Sequence, residues 1–174
     1  MSSQNPNIEI RLLEESDSIH YLTLLVNRAY KRLADMGLRY VATWQDDDIT
    51  QERIKGAECW IGILDGRIVA TALLRDWEHS NGTPWYDRPD VAVLGQFAVE
   101  PDLQGMGIGS TMLRHLENRA HATGASELAL DTAESADHLI KWYEKRGYRF
   151  IDYVDWRPLT NYRSVILSKT LPQE

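Results

Sequence analysis

Cysteine is nearly absent from this chain of 174 residues: Cys59 stands alone, which excludes an internal disulfide and a thiolate metal cluster. It lies beside Trp60 in the strand-like run Trp60-Ile61-Gly62-Ile63-Leu64, where a small buried hydrophobe is favoured over a nucleophile. None of the five histidines (His20, His79, His115, His121, His138) stands in H-E-x-x-H or another close metal-ligand spacing, so no metal is expected. No stretch approaches the roughly 18 uncharged apolar residues of a membrane span. Met1 to Ile10 offers neither a basic start nor an apolar run, so no secretory signal is expected and the cytoplasm is the natural compartment. Blocks of Lys/Arg are also missing, and 19 basic against 26 acidic residues leave a net charge of −7. Such a chain repels polyanions, so nucleic acid is not an expected partner, whereas a cationic acceptor would be drawn to it. No repeat, low-complexity tract or linker is visible. With 43% hydrophobic and 26% charged residues, the composition fits one folded domain over residues 1–174, its core about 8–171, and not a disordered or membrane-embedded chain.

What the chain does have is Gln104-Gly105-Met106-Gly107-Ile108-Gly109-Ser110, placed between a strand-like and a helix-like run. Upstream, Val91 to Val99 is β-branched and almost free of charge, as a strand buried on both faces would be. Downstream, Met112, Leu113, Leu116 and Ala120 recur at helical spacing until Gly124, a C-cap candidate. Glycines at every second position let the backbone turn tightly and leave its N–H groups uncovered. Together with the following helix dipole, those groups suit a pyrophosphate. A Walker-type loop is excluded because Ser110-Thr111 follows Gly109 with no lysine. The dinucleotide fingerprint fits poorly, since Glu100-Pro101-Asp102-Leu103 separates strand from glycines. A plain tight connection between strand and helix is the remaining alternative.

The remaining elements follow from periodicity and turn chemistry. Ile8 to Leu13 reads as a first strand, with Ser16 or Ser18 capping a helix that carries Ile19, Leu22, Val26, Ala29 and Leu33. Asp48-Ile49-Thr50-Gln51 predicts a capping box for a short helix ending near Gly56. Glu58 to Leu64 and Arg67 to Trp77 are strand-like around the hairpin signal Asp65-Gly66, and Glu78 to Pro89 is a loop. Leu128-Ala129-Leu130 is expected to run parallel to Val91 to Val99. Ser135 is expected to cap a helix stopped by Gly147, and Tyr148 to Trp156 and Tyr162 to Leu171 close the chain as antiparallel strands. Gly95 reads as a bulge or a place of close packing.

Val99-Glu100-Pro101-Asp102-Leu103-Gln104-Gly105-Met106-Gly107-Ile108-Gly109 matches Val-x-Pro-x-x followed by Gln-x-x-Gly-x-Gly, and Tyr143-Glu144-Lys145-Arg146-Gly147-Tyr148 lies at a fitting distance after it. In these two motifs, and in the order of elements from about Ile8 to Leu171, the chain resembles the GNAT N-acetyltransferase superfamily. The resemblance implies an α/β (mixed α+β) fold: a central, mostly antiparallel sheet of about seven strands with a splayed parallel pair, flanked by about four helices. It implies acetyl-CoA as cosubstrate, without a metal, and transfer of the acetyl group to a primary amine by direct attack on the thioester. Phe97, Ala98 and Val99 would pair with the pantetheine arm, and Gln104, Gly105, Met106, Gly107, Ile108, Gly109 and Ser110 would hold the pyrophosphate. Tyr143 matches the family tyrosine that assists departure of the thiol, packing of its helix being the alternative role.

The chain departs from the family where roles are assigned. Many members carry Glu near the position of Gly95-Gln96 and Asn near the start of the tyrosine helix, where Glu134-Ser135-Ala136-Asp137-His138 stands here. The base is thus open among Asp131, Glu134, His138 and water. Tyr40, Trp44 and Asp46-Asp47-Asp48 could contact an amine, although core packing for Trp44 and helix capping for the aspartates is the preferred reading. A small molecule and a peptide both remain open as acceptor, as does a homodimer. The missing carboxylate also leaves a second reading, a non-catalytic acyl-CoA-binding sensor or regulatory protein of the same fold.

Overall fold

In a computed structural model of the chain, residues 5–80 and 82–172 are described. Their β-branched and alternating runs form seven strands: β1 (Glu9–Leu12), β2 (Glu58–Leu64), β3 (Arg67–Arg75), β4 (Val91–Val99), β5 (Glu127–Ala133), β6 (Arg149–Asp155) and β7 (Arg163–Thr170). They make one sheet in the order β1-β2-β3-β4-β5-β7-β6, antiparallel throughout except between β4 and β5. Five α-helices flank it: α1 (Ile19–Ala29), α2 (Lys31–Asp35), α3 (Asp47–Ile54), α4 (Ile108–Ala122) and α5 (Asp137–Glu144). None is long and apolar enough to cross a membrane.

The apolar period of α4 lays Ile108, Met112, Leu113, Leu116 and Ala120 on one sheet face, against Ala70, Ala72, Leu74, Leu94, Leu128 and Leu130. Full burial of each large side chain in this layer stabilises the fold by about 1.5–3 kcal/mol. On the opposite face α1 buries Leu22, Leu25 and Val26, and Arg28 at its end grips the buried carboxylate of Glu100 through two 2.9 Å hydrogen bonds. That clasp ties α1 to the chain just after β4.

The parallel pair is short. Only Val91, Ala92 and Val93 are in register with Glu127, Leu128 and Ala129, although both strands continue beyond. The cause lies on the other side of β4. Thr71 faces Ala98 and Leu73 faces Gly95, so Ala72 of β3 opposes both Gln96 and Phe97, a bulge with Gln96 at φ +48°. A bulge bends and twists its strand, here turning the second half of β4 away from β5. The bulge expected at Gly95 therefore sits one residue later. Gly95 has a different reason to lack a side chain: a Cβ there would come within 3.0 Å of Arg75 Nη1.

Two cap expectations and one helix extent are corrected, and one cap holds. Ser18 Oγ accepts from Tyr21 N, as a cap should. The cap of α3 is Asp46, accepting from Ile49 N at 2.9 Å, not a box starting at Asp48; consecutive aspartates made the register ambiguous. Ala136 replaces Ser135 at the start of α5, which is entered through a tight turn from Ala133 with no side-chain cap. The helical period through Leu33 is broken at Tyr30, where the side chain is drawn into the sheet.

Candidate active site

The glycine turn ends in a helix start that no side chain caps. Gly105 and Gly107 take φ +84° and +86°, conformations costly for any L side chain, and Gly107 is the N-cap of the 15-residue α4. Among the described residues no side-chain oxygen caps the first-turn N–H groups of Ile108, Gly109 and Ser110, which leaves an anion site at the positive end of the helix. Ile108 sends its side chain into the core, so only its backbone serves the turn, and Met106 is exposed. Gln104 does not reach outward: its Nε2 donates to Val99 O at 3.2 Å and tethers the turn to β4. Arg146, in a contact not legible in the sequence, donates to Ser110 Oγ from Nη2 at 2.9 Å and Nε at 3.2 Å. Its guanidinium lies over the Trp142 ring, 3.7 Å from the centroid. No ion pair among the described residues involves Arg146, and burial lowers its pKa, so its charge at the helix start is uncompensated.

Beside the turn, the separated halves of β4 and β5 form a wedge lined by tyrosines. Tyr30 donates to Phe97 O at 3.0 Å, while the Tyr40 hydroxyl accepts from Ala133 N at 3.0 Å and bonds Thr132 Oγ1 at 2.7 Å. One phenol holds each strand, and the two rings are 5.6 Å apart. Ala98 is buried toward α1 against Val26 and Ala42, and Phe97 and Val99 pack toward α4. Tyr143 of α5 is almost fully buried, edge-on to Trp142 and Tyr148, and its hydroxyl has no hydrogen-bond partner among the described residues. Burial first, then the nearby phenols of Tyr30 and Tyr40, push its pKa well above the ordinary tyrosine value. It remains a proton donor at any working pH.

A polar cluster occupies the sheet face away from α4. Arg53 Nη1 donates to Gln45 Oε1 at 2.6 Å, Gln45 Nε2 donates to Thr50 Oγ1 at 2.8 Å and Gln96 Oε1 at 3.0 Å, and Gln96 Nε2 is buried with no partner. Arg75 Nη2 donates to Arg53 O at 2.7 Å. Across the wedge, Asp131 on β5 accepts from Tyr86 Oη at 2.6 Å and Trp156 Nε1 at 3.0 Å, and burial raises its pKa despite these bonds.

The other sequence candidates are occupied elsewhere. Glu134 pairs with Arg163 at 2.7 Å on the surface, and His138 is a partly exposed residue of α5 whose pKa is lowered by burial and by Arg32. Asp46 caps α3 and Asp47 faces His20 at 3.0 Å, as helix-end roles require. Trp44 is 38% exposed instead of packed on the core, with the Arg39 guanidinium 4.6 Å from its ring centre. A shallow depression of about 400 Å³ along His20, Asn27 and Asp46 to Asp48 contains no residue of β4, β5 or α4. Among the described residues no group of three or more His, Cys, Asp or Glu could hold a metal ion.

The Acetyltransferase (GNAT) family model matches residues 28–148. S-(2-succino)cysteine N-acetyltransferase of Bacillus subtilis (strain 168) is 34% identical over 143 residues, covering 79% of this chain and 82% of that protein. S-alkylcysteine N-acetyltransferase of the same organism is 28% identical over 131 residues, covering 73% and 71%. A GNAT family acetyltransferase from Elizabethkingia anophelis, solved with acetyl-CoA bound, shares the fold with a TM-score of 0.69 at 16% identity, over 95% of this chain and 99% of that one.

Proposed function

The chain belongs to the acetyltransferase (GNAT) family, and from that premise we propose that it is an acetyl-CoA-dependent N-acetyltransferase whose acceptor is the primary amine of a small molecule. The observation that carries this reading is the uncapped start of α4 beside the second half of β4, which is no longer paired with β5. We read the whole chain as one such domain, because β1 and β7, near its two ends, belong to one sheet. The cytoplasm, where CoA thioesters circulate, is the proposed compartment.

The first-turn N–H groups of α4 and the guanidinium of Arg146 would hold the pyrophosphate, and the outer backbone edge of Phe97, Ala98 and Val99 would align the pantetheine arm. Bound there, acetyl-CoA supplies an activated acyl group as a thioester. Tyr143 would donate a hydrogen bond to the departing sulfur. Its phenol is less acidic than the ordinary value near 10, whereas a thiol has a pKa near 8.5, so full proton transfer is uphill by more than about 2 kcal/mol. Tyr143 therefore stabilises the thiolate by hydrogen bonding, with solvent completing the protonation. Asp131 stands on β5 two residues past the last one paired with β4, and its raised pKa suits a group that takes the amine proton.

The test is thiol release from acetyl-CoA across a panel of primary amines. S-substituted cysteines come first, because two of the relatives are named for such substrates. Turnover with at least one amine is expected. Tight CoA binding with no thiol release for any amine would favour the sensor reading instead.

A further inference from the structure

Arg53 and Arg75 present two partly buried cations that no anion among the described residues contacts. Among the described residues neither makes an ion pair, and their hydrogen bonds go to the neutral oxygens of Gln45 and Arg53 itself. A buried charge without a partner is costly, so its persistence beside a candidate active site asks for a ligand that neutralises it. The direction of the side-chain relay sharpens the point. Arginine can only donate, which fixes Gln45 Oε1 as acceptor and Gln45 Nε2 as donor, which in turn fixes Gln96 Oε1 as acceptor. The relay ends in a Gln96 amide nitrogen, on a residue 3% exposed, whose hydrogens meet no oxygen among the described residues. This cluster holds a surplus of donors.

Its position matters as much as its charge. Arg75 lies over β4 at Gly95, two residues beyond Val93, where the β4–β5 pairing ends and the wedge opens. Arg53 is tied to Gln96 of β4 through Gln45, and its charge acts on Tyr30 and Asp131, which stand on either side of the opening. Asp131 does not neutralise the arginines by contact: it makes no ion pair with either, and its two oxygens accept from Tyr86 and Trp156 instead. One side of the wedge is thus cationic and the other carries a carboxylate, the complement of a molecule bearing both a carboxylate and an amine. We infer that the acceptor carries a free carboxylate held by Arg53 and Arg75, with its amine toward Asp131 and the thioester.

This inference rests on the transferase reading, and matched substrates separate the two. Initial rates are measured for S-methyl-, S-ethyl- and S-benzylcysteine, each beside the corresponding amine lacking the α-carboxylate. For the pairs that turn over, wild-type kcat/KM is expected to favour the carboxylate-bearing member by about 10- to 150-fold per charged hydrogen bond. In Arg75→Gln, and separately in Arg53→Gln, that ratio should fall toward 1 through loss on the carboxylate-bearing member. Equal turnover of both members by the wild type overturns the inference and leaves the transferase standing, and no variant needs to fold for that comparison. Equal losses on both members in the variants also overturn it, since a merely structural role would act that way. Absence of turnover with every amine while CoA still binds overturns the transferase reading and this inference with it.

Discussion

Ser110→Glu tests the phosphate cradle without disturbing the fold. Ser110 is the third residue of α4, counted from the N-cap Gly107, where an acidic side chain is favourable to the helix by about 0.3–1 kcal/mol. The new carboxylate would also find Arg146, whose Nη2 already lies 2.9 Å from Ser110 Oγ. Thermal stability should therefore stay level or rise. CoA affinity should collapse for two reasons. Diverting Arg146 removes a charged hydrogen bond worth about 1.5–3 kcal/mol. Placing a negative charge about 5 Å from two phosphate charges adds about 1.7 kcal/mol of repulsion even at the dielectric constant of water. The sum, about 3–5 kcal/mol, corresponds to a roughly 10²- to 10³-fold or greater rise in Kd by calorimetry. Arg146→Ala should show the first part alone, about 10- to 150-fold. Repeating both titrations with 3′-dephospho-CoA assigns the loss to the pyrophosphate. A folded Ser110→Glu protein that binds CoA within threefold of wild type would refute the cradle. Substitution at Gly107 is a poorer probe, because φ +86° and a Cβ 2.7 Å from the Asn5 side chain would confound binding with folding.

Tyr143→Phe should lower kcat by about 10²-fold or more while leaving CoA affinity within twofold, since the ring packing stays and the lost hydroxyl had no partner among the described residues. With its pKa raised, Tyr143 should contribute no alkaline limb to kcat/KM up to about pH 10, its ordinary value; full turnover in Tyr143→Phe under rate-limiting chemistry would make it a packing residue. His115 supplies a pH effect on stability: burial first, then the Arg119 charge, lower its pKa against a weaker pull from Glu58, and its Nε2 is buried without a partner. The unfolded chain then takes up the proton first as pH falls below about 6.5, so this contribution is present above that pH and is lost as pH falls toward the depressed folded value. The drop in Tm between pH 7 and 5.5 should be smaller in His115→Phe, which keeps the edge-on contact with Trp60, and an unchanged drop would refute the assignment.

Local chemistry was legible in the chain and long-range chemistry was not. The hairpin at Asp65-Gly66 forms with both residues at positive φ, and Val91 to Val99, the glycine turn and the α4 stripe appear with boundaries close to those expected, because each is set by neighbours in sequence. The break at Tyr30 escaped detection, since a hydrogen bond to Phe97, 67 residues away, draws its side chain from the helix into the sheet. Arg53 and Arg75 looked unremarkable for the same reason, and Gln96 stood out only where many family members carry Glu: a short helix and two strands bring the three together, and no spacing records it. Arg146 lay inside a recognised motif, near the end of its helix where the dipole favours a cation, but its contact with Ser110 was not legible because that residue is on another helix.

The departure from the family at Gly95-Gln96 and the surplus of cations are one feature. A glutamate at position 96 would accept from Gln45 Nε2 as the glutamine oxygen now does, and its charge would partly neutralise Arg53 through the same relay. Glutamine keeps the relay's geometry and withholds the charge, so Arg53 stays available to an incoming carboxylate. A side chain at position 95 would meet the Arg75 guanidinium, so glycine there keeps the second cation over the strand. With no carboxylate left on β4 at this point, the proton-accepting role proposed above would fall to the opposite strand. There Asp131 is held by Tyr86 and Trp156 and made more basic by burial. On this proposal acceptor recognition and placement of the base would follow from the same two residues, and an enzyme built this way would trade a base on β4 for selectivity toward amines that carry a carboxylate.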